Sequence, residues 1–183
     1  MILKPRASID DLRRVPNHGK AELVDGRVKL MSPTGGRPAR AGGKIYASLL
    51  RHEEEHHGGY ALPDNAGFIV DLPNRQSFSP DAAWYTGPTI DMSFLNGAPA
   101  FAVEVRSEGD YGPLAERDIA AKIADYFAAG TRVVWDMDLL SPELIRKYGS
   151  DRPSEPLILR AGEIADAEPA VPGWRLSLDA LLK

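Results

Sequence analysis

A chain of 183 residues, 43% of them hydrophobic, has the length of one domain and on folding buries roughly 70% of the surface its unfolded form exposes. Its 26 acidic and 22 basic residues give a net charge of -4, which excludes a strongly basic coat for nucleic acid and leaves room only for a local basic patch. The chain has no cysteine, so disulfide frameworks and thiolate clusters are excluded, and any metal must be held by oxygen or imidazole.

The start, MILKPRASIDDLRRV, lacks the apolar run of a signal peptide, and no later stretch approaches the length needed to cross a bilayer. The expectation is a cytoplasmic protein without a membrane span, forming a single domain over residues 1–183. AELVDGRVKLMS reads as two short strands around the turn pair Asp25-Gly26, and PTGGRP then breaks the pattern. Over 37–57, Ala41, Ile45, Leu49 and Leu50 recur at helical spacing, and His-Gly-Gly is a helix stop. Strands are predicted at GFIVDL (67–72), PDAAWYT (80–86) and AFAVEV (100–105). A second amphipathic helix over 114–129 collects Ile119, Ile123, Tyr126 and Phe127 on one side and stops before Gly130. TRVVWDMD is another buried strand. SPELIRKYGSDRP reads as a surface excursion inside an irregular insertion near 139–155, PLILR as a strand, and PGWRLSLDALL as a closing strand and short helix. The order of elements defines a mixed α/β fold.

HEEEHHGG, residues 52–59, matches the zinc-peptidase pattern H-E-x-x-H. His52 and His56 fall at i and i+4 on one helix face, where they could share Zn²⁺ with Glu53 as general base. Every residue from Arg51 to His57 is polar or charged, however, and Leu62 stands where the longer peptidase pattern wants a third histidine. Histidines also suit the negative end of a helix dipole. The stretch is therefore read as the solvated tail of a helix, with the zinc peptidase a remote alternative. Gly43-Lys44 imitates a phosphate-binding loop, but Ile45 replaces the Mg²⁺-binding Ser or Thr and the segment sits inside a helix.

Asp81 opens one strand and Glu104 closes the next, each beside core-type residues. Side chains alternate along a strand, so Glu104 shares its face with Ala102 and Arg106 while Phe101, Val103 and Val105 point the other way. If the strands are neighbours, the two acids approach. Carboxylates about 4 Å apart repel by ~4 kcal/mol at an effective dielectric near 20, and need a shared proton, a basic partner or a cation. All-oxygen donors favour Mg²⁺ or Mn²⁺. Lys122, three residues after Ile119 and four before Tyr126, stands at the edge of the helix's apolar stripe and can reach toward the sheet.

In order, ELVDGRVKLMSPTGG, SPDAAWY, FAVEVRSEGD, KIADYFAAGTRVVWDMD and VPGWRLSLDALL resemble the Uma-two family of predicted restriction endonucleases, a branch of the PD-(D/E)XK nuclease superfamily, over a span from about Lys20 to the end of the chain. The resemblance implies a restriction-endonuclease-like core, a central mixed sheet flanked by helices, with the hairpin added at its N-terminal side. By motif, Asp81 and Glu104 would be metal ligands for Mg²⁺ or Mn²⁺. Lys122 would be the catalytic lysine, moved to the helix from its usual place two residues after the glutamate. That place holds Arg106, which stays charged and serves only to bind phosphate or make a structural pair. Glu22 matches another family acid, with a supporting or metal-binding role. Where many members carry a histidine near the start of the first long helix this chain has Arg37-Pro38, and Ser107-Glu108 replaces a common Ser-Pro.

The resulting expectation is a metal-dependent endonuclease hydrolysing DNA, with Asp81, Glu104, Lys122 and Glu22 as its catalytic set. Arg37, Arg40, Lys44 and Arg51 on the first long helix are candidate phosphate contacts, and a homodimer would let two sites meet two strands. The alternative is a non-catalytic DNA-binding or accessory module that keeps the nuclease fold.

Overall fold

The computed structural model describes residues 6–16, 19–88 and 90–182; the opening MILKP of the expected leaderless start lies outside them. Helix α1 (Ile9–Arg13) begins in a capping box: Ser8 Oγ accepts from the Asp11 N–H, and the Asp11 carboxylate accepts from the Ser8 N–H. The predicted hairpin follows as β1 (Ala21–Val24) and β2 (Arg27–Leu30). Asp25 and Gly26, at φ 51° and 68°, are both left-handed, as a two-residue hairpin turn requires.

The long helix α2 (Gly36–His56) leads to β3 (Tyr60–Pro63), β4 (Phe68–Ile69), β5 (Ser77–Phe78), β6 (Ala82–Tyr85), β7 (Leu95–Asn96) and β8 (Phe101–Val105). Helix α3 (Pro113–Ala128) then crosses to β9 (Val133–Met137), which is followed by β10 (Ile145–Gly149), β11 (Arg152–Leu159), β12 (Ile164–Ala167), β13 (Val171–Ser177) and α4 (Asp179–Leu182). A six-stranded sheet in the order β11-β10-β9-β8-β6-β3 forms the centre. Only β8 and β9 in it run parallel, and α3 is the connection that such a pair demands. The sheet is therefore mixed and flanked by helices, as expected.

Alternation along the strands divides the core in two. Trp84, Phe101, Val103, Trp135 and Met137 face Ile45 and Leu49 of α2 together with the β12–β13 ribbon. Ala83, Tyr85, Ala102 and Val134 face the other way, onto Ile123 and Tyr126 of α3, with Phe68 and Phe78 of the small β5-β4-β7 sheet completing that layer. Phe78 stacks on Tyr126 at 4.0 Å between ring centroids.

Two expectations need correction. SPELIRKYGSDRP is not a surface excursion: it supplies β10 and the start of β11, which extend the central sheet. Its alternation is hidden because Arg146, Lys147 and Tyr148 are half-exposed, and Lys147 ends in an ion pair with Asp166 at 2.6 Å. The stretch at 67–72 keeps only two strand residues, paired with the short β5 and β7 that the sequence does not announce. Among the described residues no helix is long and apolar enough to cross a membrane.

Candidate active site

Strands β6 and β8 are antiparallel neighbours, with Ala82 opposite Val103. Continuing that register by one residue sets Asp81 against Glu104. The Asp81 N–H donates to Val103 O at 2.9 Å, and Asp81 Oδ2 accepts from the Val105 N–H at 2.7 Å, so the carboxylate is folded back onto the strand that bears Glu104. Gly42 of α2 packs behind it: a Cβ there would lie 3.3 Å from Asp81 O and 3.5 Å from Asp81 Cβ.

Lys122 reaches down from α3. Its Nζ lies 2.7 Å from Glu104 Oε2 and 2.9 Å from Glu22 Oε1, bridging two carboxylates from separate elements. One helical turn on, the Tyr126 hydroxyl donates to Glu104 Oε1 at 2.6 Å, so both oxygens of Glu104 are held from the same helix face. Glu22 is only 3% exposed; it also accepts from the Ser79 N–H at 2.9 Å and pairs with Arg75 at 2.6 Å. Arg75 continues to Asp125 of α3 at 2.8 Å. On the other flank Lys20 pairs with Asp81 at 2.6 Å and Asp64 at 2.7 Å.

The electrostatics follow from this packing. Burial lifts the pKa of Glu104, and the Asp81 and Glu22 carboxylates add to the rise, against the opposing pull of Lys122. Burial would also lift Glu22, but Lys122 and Arg75 outweigh it and hold that carboxylate below its ordinary value. Desolvation alone would favour a neutral Lys122; Glu104 and Glu22 reverse this and hold the amine protonated. Lys20 behaves alike, with burial overridden by Asp81 and Asp64.

Five carboxylates in these linked pairs (Glu22, Asp64, Asp81, Glu104, Asp125) face three cations (Lys20, Arg75, Lys122), an excess of two negative charges. A hard divalent cation suits that excess and that all-oxygen donor set. Among the described residues no three His, Cys, Asp or Glu side chains form a ready cage. Two carboxylates with the remaining positions left to water or phosphate is the usual habit of Mg²⁺.

The other candidates lie apart from these acids. Arg106 is 4% exposed and ion-paired: its Nε and one terminal nitrogen each donate to the Asp136 carboxylate at 2.7 Å, and both terminal nitrogens donate to Glu116. Of the two uses open to it, Arg106 makes the structural pair, and its burial leaves no exposed phosphate contact. On α2, Arg37 donates to Leu139 O at 3.3 Å, Lys44 donates to Ala180 O at 2.6 Å, and Arg40 and Arg51 are exposed. At about 100° per residue, all four lie within roughly 40° of the side opposite Gly42, and so point away from Asp81.

HEEEHHGG is only partly a solvated tail. Glu54, Glu55, His56 and His57 are exposed, but His52 is 8% exposed and sits against Trp84 with ring centroids 5.8 Å apart. It follows Ile45 and Leu49 on the buried face of α2, and burial, then His56, depress its pKa. Glu53 is engaged by the Ala61 N–H at 2.6 Å, and the His52–Glu53–His56 set lacks a third protein ligand among the described residues.

Lys20, Arg75 and Tyr126 are the participants that sequence reasoning missed. Tyr126 carries a signal, its i+4 spacing from Lys122, but its place in the apolar stripe marks it only as core. Lys20 and Arg75 lie in non-repeating segments where no periodicity marks which way a side chain points.

The fold, a mixed sheet with α3 as the crossover between its two parallel strands, is shared with a solved structure described as a putative nuclease. The crystal structure of a putative nuclease belonging to DUF820 from Anabaena variabilis matches it with a TM-score of 0.74 at 14% sequence identity, covering 96% of this chain and 97% of that one. The Uma2 family profile, described as "Putative restriction endonuclease", matches residues 9–179, and the chain belongs to that family. No curated protein matches it significantly.

Proposed function

We propose that this protein hydrolyses DNA phosphodiester bonds at the centre formed by Asp81, Glu104 and Lys122, with Glu22 in support. The observation that carries the reading is the Lys122 amine at 2.7 Å from Glu104, on the strand that neighbours Asp81. Asp81 and Glu104 would hold Mg²⁺ or Mn²⁺, which when bound supplies Lewis acidity toward the phosphate and toward water.

The side chains divide the remaining work. Lys122, held protonated, is not the proton acceptor; two of its three N–H directions serve Glu104 and Glu22, and the third is available to orient a water or stabilise charge on a phosphate oxygen. Tyr126 holds the Glu104 carboxylate, and Arg75 holds Glu22, so both acids that receive the amine are themselves hydrogen-bonded in place. The Val105 N–H does the same for Asp81.

A second reading rests on Lys20, whose ammonium already neutralises Asp81 at 2.6 Å. A centre satisfied by its own lysines suits a non-catalytic DNA-binding or accessory module. Plasmid nicking with Mg²⁺ or Mn²⁺ separates the two. Native protein should nick, and Asp81→Ala and Lys122→Ala should not; equal nicking by all three means a contaminant, and inert native protein on every DNA form favours the accessory module. A homodimer, detectable by light scattering, would bring two centres to two strands.

A further inference from the structure

Helix α3 is anchored unevenly. Its buried side chains, Ile123 and Tyr126, lie in its second half, and from Pro113 to Ala121 no residue is buried; Ala115 and Ile119 are only half-covered. The helix starts at Gly112, which offers no side-chain cap. Pro113 pre-sets the first turn and Ile119 packs on the edge of the second core layer, but these are few contacts for nine residues, and a helix end so lightly held frays. Lys122 sits at the boundary between the loose half and the packed half.

Glu116 ties the loose half to the sheet through ion pairs. Glu116 receives both terminal nitrogens of Arg106 and accepts from Arg146 at 3.3 Å. Arg106 cannot follow a moving helix, because Asp136 grips its guanidinium with two 2.7 Å bonds from β9, where Asp136 is itself 2% exposed. Arg106 lies two residues past Glu104, roughly 7 Å along the β8 line. Glu116 lies six residues before Lys122, roughly 9 Å along the helix. Strand and helix are thus the two rails of a frame. Arg106–Glu116 is one rung, and Glu104–Lys122, at 2.7 Å, is the other.

We propose that the Arg106–Glu116 bridge is the positioning device for Lys122: it sets the height of the first half of α3 above the sheet and so the placement of the amine against Glu104. Arg106 and Glu116 touch no substrate and act through Lys122. The catalytic consequence rests on the nuclease reading; the positioning itself does not. Glu116 has a half-exposed carboxylate, so its removal leaves the core intact.

The test compares native protein with Glu116→Ala and Glu116→Gln. Amide hydrogen exchange in the Ala variant should quicken roughly tenfold over residues 116–125, whose N–H groups bond carbonyls of the loose half, and stay native over 126–128, as a local opening does. The Lys122 ammonium resonance in ¹⁵N NMR should broaden or shift. With DNA, kcat should fall roughly tenfold to a hundredfold, the penalty of a displaced group, with KM little changed. Glu116→Gln, which still accepts one bond, should recover part of each loss. Native exchange and a native Lys122 signal in Glu116→Ala would overturn the proposal, as would a fall in kcat that merely tracks the melting temperature. If native protein cleaves no DNA, the nuclease reading fails alone, and exchange and the ammonium signal still decide the positioning role.

Discussion

Glu104 is a carboxylate whose burial favours its protonated form, while Glu22, a rung away across Lys122, is held ionised. Their effects on stability therefore have opposite signs. Because the folded pKa of Glu104 is raised, its stabilising protonation is complete below the unfolded glutamate value and is lost as pH rises through the folded one. Glu22, with a depressed folded pKa, stabilises above the unfolded value and loses that contribution as pH falls through its folded one. Glu104→Gln should consequently melt at or above native protein near pH 7, with the difference shrinking as pH drops toward 4, while nicking is lost; a marked destabilisation at pH 7 would contradict the assigned electrostatics. Lys122→Met should do the reverse. It strands two buried carboxylates, which costs about 3–5 kcal/mol in denaturant titrations, and adding Glu104→Gln to it should restore part of the loss.

At the scale of elements, α2 contributes a smooth place against Asp81 instead of a basic face. Gly42→Ala brings a methyl to 3.3 Å from Asp81 O, tight enough to move the carboxylate by tenths of an ångström, whereas the same change normally favours a helix by about 1 kcal/mol. The variant should keep its melting temperature and lose activity, and Gly42→Val should lose both. Arg40→Gln with Arg51→Gln, on the far side of α2, should leave the nicking rate within roughly twofold at salt high enough to screen the change in net charge. Strands β6 and β8, α3 and the meeting of Asp81, Glu104 and Lys122 in space were legible in the sequence, because each combines a hydrophobic period with a polar interruption that needs a reason. Lys20, Arg75 and Asp136 were not. Their partners come from distant segments, 61 residues away for Lys20 and Asp81, and no local period encodes a long-range ion pair. β10 escaped for a related reason: its half-exposed basic residues conceal the strand period.

For the whole molecule, a net charge of -4 and a local excess of acid mean that DNA must approach against repulsion until that excess is neutralised. Fluorescence anisotropy with Asp81-intact protein and Ca²⁺ should show affinity rising by roughly tenfold or more over an EDTA control, equivalent to about 1.4 kcal/mol; equal affinity in both would argue against a cation at the acids. The parallel pairing of β8 with β9 has a consequence for how such a centre can be built or lost. Two strands pointing the same way cannot be closed by a tight turn, so the backbone leaving Glu104 must arch over the acid-bearing face before it returns beside it. The arch is α3, and Lys122 travels on it. Replacing that arch with a short loop would reverse β9 as well as remove the amine, so strand order and chemistry share one piece of chain.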